Sequence, residues 1–197
     1  SEMFYDTGHK NMTSLNLENN FDTSIVTDMS DMFHNTGYAN MTSLNLKGKF
    51  HTNEVTNMSS MFWGTGHDAM QTLTLGAYFN TVKTTNMMSM FRETGYGELE
   101  TLNLGDDFDT SKVTDMSSMF YQTGYSKMTV LDLGDKFNTK IVEDMSTMFS
   151  ETGHNAMTIL DLGPKFTKIA GNNTDMFKNC GTTNLTIYAP EAIYSSI

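Results

Sequence analysis

Five histidines and two acidic clusters are the residues of this chain that could do chemistry. A general acid or base needs a histidine within hydrogen-bond reach of a nucleophile or a carboxylate. His9, His67 and His154 instead stand where Tyr38, Tyr96 and Tyr125 stand elsewhere in a recurring pattern, so the position asks for a ring. His34 and His51 fall at variable positions. The acids gather at Asp106, Asp107 and Asp109, and at Asp132 and Asp135, an oxygen-rich set of the kind Ca²⁺ takes. Equivalent stretches read Lys47-Gly48-Lys49 and Gly76-Ala77-Tyr78, so no ligand set recurs. A solvated acidic turn is expected there, without metal or cofactor. A carboxylate pair for glycoside hydrolysis would break the repeat, and no residue does so in that way. The glycines stand singly, so no loop cradles a phosphate. The expectation is a protein that is not an enzyme.

A binding surface is a stronger reading than an active site, although a purely structural role for the same residues weighs more than either. The residue after each Met-Phe and the residue after each Thr-Gly lie four apart, giving the pairs Tyr5/His9, His34/Tyr38, Trp63/His67, Arg92/Tyr96, Tyr121/Tyr125 and Ser150/His154. Trp, Tyr and Arg dominate interface energies. The stripe His34, Tyr38, Trp63, His67, Arg92, Tyr96, Tyr121 and Tyr125 is therefore the candidate site for a protein or glycan ligand. Trp63, the one tryptophan, is the expected anchor, exposed because its column also holds charge. The competing reading is that stacked Tyr and His rings shield the edge of each coil.

The elements that must position this stripe follow from a 29-residue repeat. Met-Phe recurs at Phe4, Phe33, Phe62, Phe91, Phe120 and Phe149, with Phe177 one residue early. A Leu-x-Leu pair, a lone Phe and a Thr-Gly keep the same step. In Met41-Thr-Ser-Leu44-Asn-Leu46 alternate residues are apolar at the end of the run, which predicts a short strand. Met58, Met61 and Phe62 lie at i, i+3 and i+4, which predicts one or two helical turns. Thr56 or Asn57 would cap that helix and Gly66 would end it. One strand and one helix cannot bury an apolar face alone, whereas stacked units can. The expectation is thus an α/β solenoid of six to seven coils, each with one short parallel strand and one short helix. The Met columns fill its interior, where an unbranched side chain adapts to gaps.

Composition narrows the partners. The net charge of −11 repels nucleic acid and anionic membrane surfaces. No window of 18 apolar residues and no basic-then-apolar start are present, so no membrane insertion is expected. A single cysteine, Cys180, leaves no disulfide framework. Residues 1–197 read as one repeat domain whose first unit is truncated, as in a piece of a longer array. Residues 166–197 read as a divergent last unit and cap.

Phe108-Asp-Thr-Ser-Lys-Val-Thr-Asp-Met-Ser-Ser-Met-Phe120, followed by Met128-Thr-Val-Leu-Asp-Leu-Gly134, resembles the BspA-type leucine-rich repeats of bacterial surface proteins. The likeness covers essentially the whole chain, which departs from the shorter family unit by its Thr-Gly-aromatic-x-x-Met stretch. The resemblance implies a right-handed leucine-rich-repeat solenoid on a secreted or wall-attached bacterial protein, with adhesion to host or matrix components as its role. The alternative is a spacer that projects another domain from the cell surface.

Overall fold

The computed structural model describes residues 1–17, 21–46, 49–182 and 184–195. Among the described residues seven three-residue strands follow one another: β1 Ser14–Asn16, β2 Ser43–Asn45, β3 Thr72–Thr74, β4 Thr101–Asn103, β5 Val130–Asp132, β6 Ile159–Asp161 and β7 Thr186–Tyr188. β1 pairs with β2, β3 with β4, and β6 with both β5 and β7, all parallel. Register follows the repeat, so Leu15 faces Leu44, Leu73 faces Leu102 and Leu131 faces Leu160. A second parallel ladder of single bridges joins Asp28, Asn57, Asn86, Asp115, Asp144 and Asn172. The chain is a β-solenoid of about six turns.

The helix expected in each coil is absent, and this overturns the α/β reading. Among the described residues the only helical element is one 3₁₀ turn, Glu191–Ile193. The backbone from Met29 to Gly37 shows why. Met29, Asp31, Phe33 and Asn35 send their N–H groups to the carbonyls of Asn57, Ser59, Met61 and Trp63 in the next coil. Met32, His34 and Thr36 turn back on the carbonyls of Met29, Asp31 and Phe33. Alternate residues therefore bond between coils and within the coil. Asp31, Asn35 and Gly37 sit at φ of +54°, +52° and +57°, a region closed to a right-handed helix. The spacing i, i+3, i+4 reports successive tight turns that aim Met29, Met32 and Phe33 inward.

The Asx column expected to cap helices instead closes turns. Asp28 Oδ1 accepts from Ser30 N–H at 2.8 Å, and Asp115 and Asp144 do the same for Ser117 and Ser146. Coupling between coils is also present, since Asn172 Nδ2 donates to Asp144 Oδ2 at 2.6 Å.

The core is built from stacked columns. Phe4, Phe33, Phe62, Phe91, Phe120, Phe149 and Phe177 stack with ring centroids 5.4–5.5 Å apart. Phe21, Phe50, Phe79, Phe108, Phe137 and Phe166 form a second column at 6.1–6.5 Å, tilted against the first. Met29, Met58, Met87, Met116 and Met145 are fully buried beside them. Two threonine columns lie inside as well. Thr65, Thr94, Thr123 and Thr152 donate to the carbonyls of Phe33, Phe62, Phe91 and Phe120 at 2.6–2.7 Å. No buried side-chain N or O among the described residues lacks a partner, as a dense interior requires.

Candidate functional site

Because parallel strands repeat at about 4.8 Å, a ring placed once per coil has to stack on its neighbours. The eight stripe residues come together in this way, as two columns. After Met-Phe the order is Tyr5, His34, Trp63, Arg92 and Tyr121. Tyr5 and His34 meet at 4.7 Å and His34 and Trp63 at 4.6 Å. The Arg92 guanidinium lies 4.6 Å from the Trp63 ring and 4.6 Å from the Tyr121 ring. After Thr-Gly, His9, Tyr38, His67, Tyr96, Tyr125 and His154 stack at 4.3–4.8 Å. Ser150 is buried and ends the first column.

Trp63 is half-buried rather than exposed, with one face under His34 and the other under Arg92. Its Nε1 donates to Glu93 Oε2 at 3.2 Å, and Arg92 Nε donates to Glu93 Oε1 at 3.1 Å. The column tolerates charge because a guanidinium stacks as well as a ring does. Polar groups at the margin are engaged too. His34 Nδ1 meets Asp31 Oδ1 at 3.0 Å and His67 Nδ1 meets Asp68 Oδ1 at 2.6 Å. Gln122 Nε2 donates to Glu151 Oε2 at 2.6 Å. Burial, with Asp68 and Glu93 nearby, raises the Tyr38 phenol above its ordinary value. Burial, then Tyr125 and Glu151, does so for Tyr96.

The arrangement closes ring faces and leaves ring edges. A sugar cannot lie flat on any inner ring of either column, whereas Arg92 engages only Nε among the described residues and keeps its Nη donors for a further partner. Cys180 is buried, and burial pushes its thiol up to about 12. At the acidic turns Lys136 Nζ pairs with Asp107 Oδ1 at 2.8 Å, and among the described residues no three His, Cys, Asp or Glu converge to hold a metal. Lys47 and Gly48 lie outside the described residues. Sequence reasoning missed Glu93, whose link to both Trp63 and Arg92 is not visible in a column of Asn35, Gly64, Glu93, Gln122 and Glu151. It also missed the buried threonines, although Thr-Gly marked one of their columns.

The stacked geometry repeats along the chain, and so does the family match. The profile of the family described as "Mycoplasma protein of unknown function, DUF285" matches residues 1–96, 38–158 and 85–189. The chain belongs to the DUF285 family. No curated protein and no solved structure matches it. The overlapping DUF285 matches agree with one repeat running through the chain. The finer likeness to BspA-type leucine-rich repeats rests on the motif alone. No helix among the described residues is long and apolar enough to cross a membrane.

Proposed function

We propose that this DUF285 chain is a non-catalytic recognition module on the outer face of a bacterial cell, an adhesin-like array resembling BspA-type repeats that binds a protein or glycan along the stripe from His34 to Tyr125. What supports this reading is the pair of stacked columns, His34, Trp63, Arg92 and Tyr121 in one and Tyr38, His67, Tyr96 and Tyr125 in the other, whose partly exposed Trp, Tyr and Arg side chains are packed against their neighbours in adjoining coils. Rigid aromatic and Arg groups lose little entropy when a partner docks. The spacer reading draws on one observation, that every inner ring face is already used by the array itself.

Trp63→Ala separates the two. It removes two stacking contacts and leaves Glu93 with one donor fewer, so it should lower stability by about 1–3 kcal/mol. A recognition module should also lose binding to an immobilised panel of matrix proteins and glycans, measured well below the lower melting midpoint. A wild-type chain that binds nothing on that panel, or a variant that binds as well as wild type, would leave the stripe as a spacer's edge seal.

A further inference from the structure

The only tryptophan and the only arginine of the chain stand one repeat apart in the same column. Arg92 is held by three neighbours at once. Trp63 and Tyr121 cover the two faces of its guanidinium, each 4.6 Å from the central carbon. The third is the Glu93 carboxylate, whose Oε1 accepts from Nε at 3.1 Å and whose Oε2 accepts from Trp63 Nε1 at 3.2 Å. Glu93 thus ties ring and guanidinium into one plane-locked unit. The Arg92 side chain is still 31% exposed. A guanidinium carries five N–H donors, and only Nε is engaged among the described residues. The four N–H donors on the two Nη atoms form the outward end of a rigid fork.

We propose that Arg92 is the anchor for a carboxylate side chain of a partner protein, taken end-on by Nη1 and Nη2. Two parallel N–H···O bonds in one plane are what a guanidinium fork offers a carboxylate. The sandwich fixes that plane, so the side-chain ordering such a pair needs is complete before the partner arrives. A protein acid fits better than an acidic glycan. Sugar rings gain most from aromatic faces, and the faces here are closed, whereas Trp63 and Tyr121 on either side of a partly exposed Arg form the kind of cluster that concentrates energy at protein interfaces. This inference rests on the stripe being the binding surface, and names the chemistry that it reads.

Trp63 is the reporter, since its fluorescence comes from the immediate neighbour of Arg92 alone. The folded chain is titrated with a short end-capped peptide carrying a single glutamate, so that the net charge of −11 opposes only one added charge, and, in separate arms, with an oligogalacturonate and a neutral dextran oligomer. The expected result is a saturable change with the glutamate peptide, weaker with oligogalacturonate and absent with dextran. Arg92→Gln should lower the peptide's affinity at least about tenfold, and Arg92→Lys nearly as much, because it keeps the charge and loses the fork. Glu93→Gln removes a competing negative charge and should bind as tightly as wild type or more so. Circular dichroism confirms that each variant is folded. No saturable response, an Arg92→Lys chain that binds like wild type, or a stronger response to oligogalacturonate would each overturn the proposal. If the glutamate peptide fails while Trp63-dependent binding to an immobilised partner persists, the carboxylate anchor falls and the recognition reading stands. If Trp63→Ala leaves all partner binding intact, the recognition reading itself falls.

Discussion

At the scale of single residues, position in the coil decides what a side chain does, and neighbours one repeat away matter more than neighbours in sequence. The Thr94 hydroxyl is fully buried and donates to the Phe62 carbonyl 32 residues earlier, at 2.7 Å. Thr94→Val keeps the shape and deletes the donor. It should cost about 1 kcal/mol, read as a lower urea midpoint, while Thr94→Ser should keep the bond and cost less than a full cavity. The sequence marks Thr94 through Thr-Gly, yet the acceptor lies in another coil and so is invisible to spacing. The phenols carry a pH signature. Tyr96 is raised above its ordinary value by burial first, then by Tyr125 and Glu151. A folded value above the unfolded one means that the contribution is complete below the ordinary phenol range and is lost as pH rises through the folded value. Phenolate absorbance should therefore show Tyr96 ionising late, and Tyr96→Phe should blunt the alkaline loss of stability. An alkaline melting curve identical in wild type and Tyr96→Phe would contradict this. The pairing of stripe residues was legible four apart. Their stacking was not, because it depends on each column recurring at the strand separation.

At the scale of elements, the strands were legible and the turns were mistaken for helices. Leu-x-Leu alternation points to strands because period two is particular to extended backbone. The spacing of Met58, Met61 and Phe62 fits a helical face, but a chain of three-residue turns presents the same face. What distinguishes them is a set of three left-handed residues in each coil, such as Ser89 at +55°, Glu93 at +55° and Gly95 at +54°. Ser and Glu do not advertise that conformation as Gly and Asn do. Ser89→Gly relieves the strain and should be neutral or stabilising by up to about 1 kcal/mol, whereas Ser89→Val should destabilise by about 1–3 kcal/mol. Thermal unfolding of the two variants checks the sign. Far-ultraviolet dichroism should lack the helical double minimum, and a spectrum with strong helix content would restore the α/β reading. The Asx turns add an acid dependence. Burial alone would raise Asp144, but hydrogen bonds from Ser146 and Asn172 outweigh it and hold the carboxyl below its ordinary value. Its contribution is thus present above the unfolded value and is lost as pH falls through the folded one.

At the scale of the whole molecule, each coil is stable through its neighbours, because no unit encloses a core alone. Phe120 stacks on both Phe91 and Phe149 and tilts against Phe137. Phe120→Ala should cost about 3–5 kcal/mol, with hydrogen exchange accelerated in the adjoining coils as well as its own. The repeat length and the stacking of one coil on the next could be read from the sequence because the same markers recur at one step. What the flank recognises could not, since ligand chemistry depends on which edges remain after the columns have stacked. The account holds that binding runs through those edges while the faces hold the array together. Tyr38→Phe, Tyr96→Phe and Tyr125→Phe combined keep every ring and remove only the hydroxyls. Affinity of this triple variant for the immobilised partner that wild type binds best is the most direct test. The account predicts a loss of about tenfold or more with a melting midpoint close to wild type, and unchanged affinity at unchanged stability would contradict it.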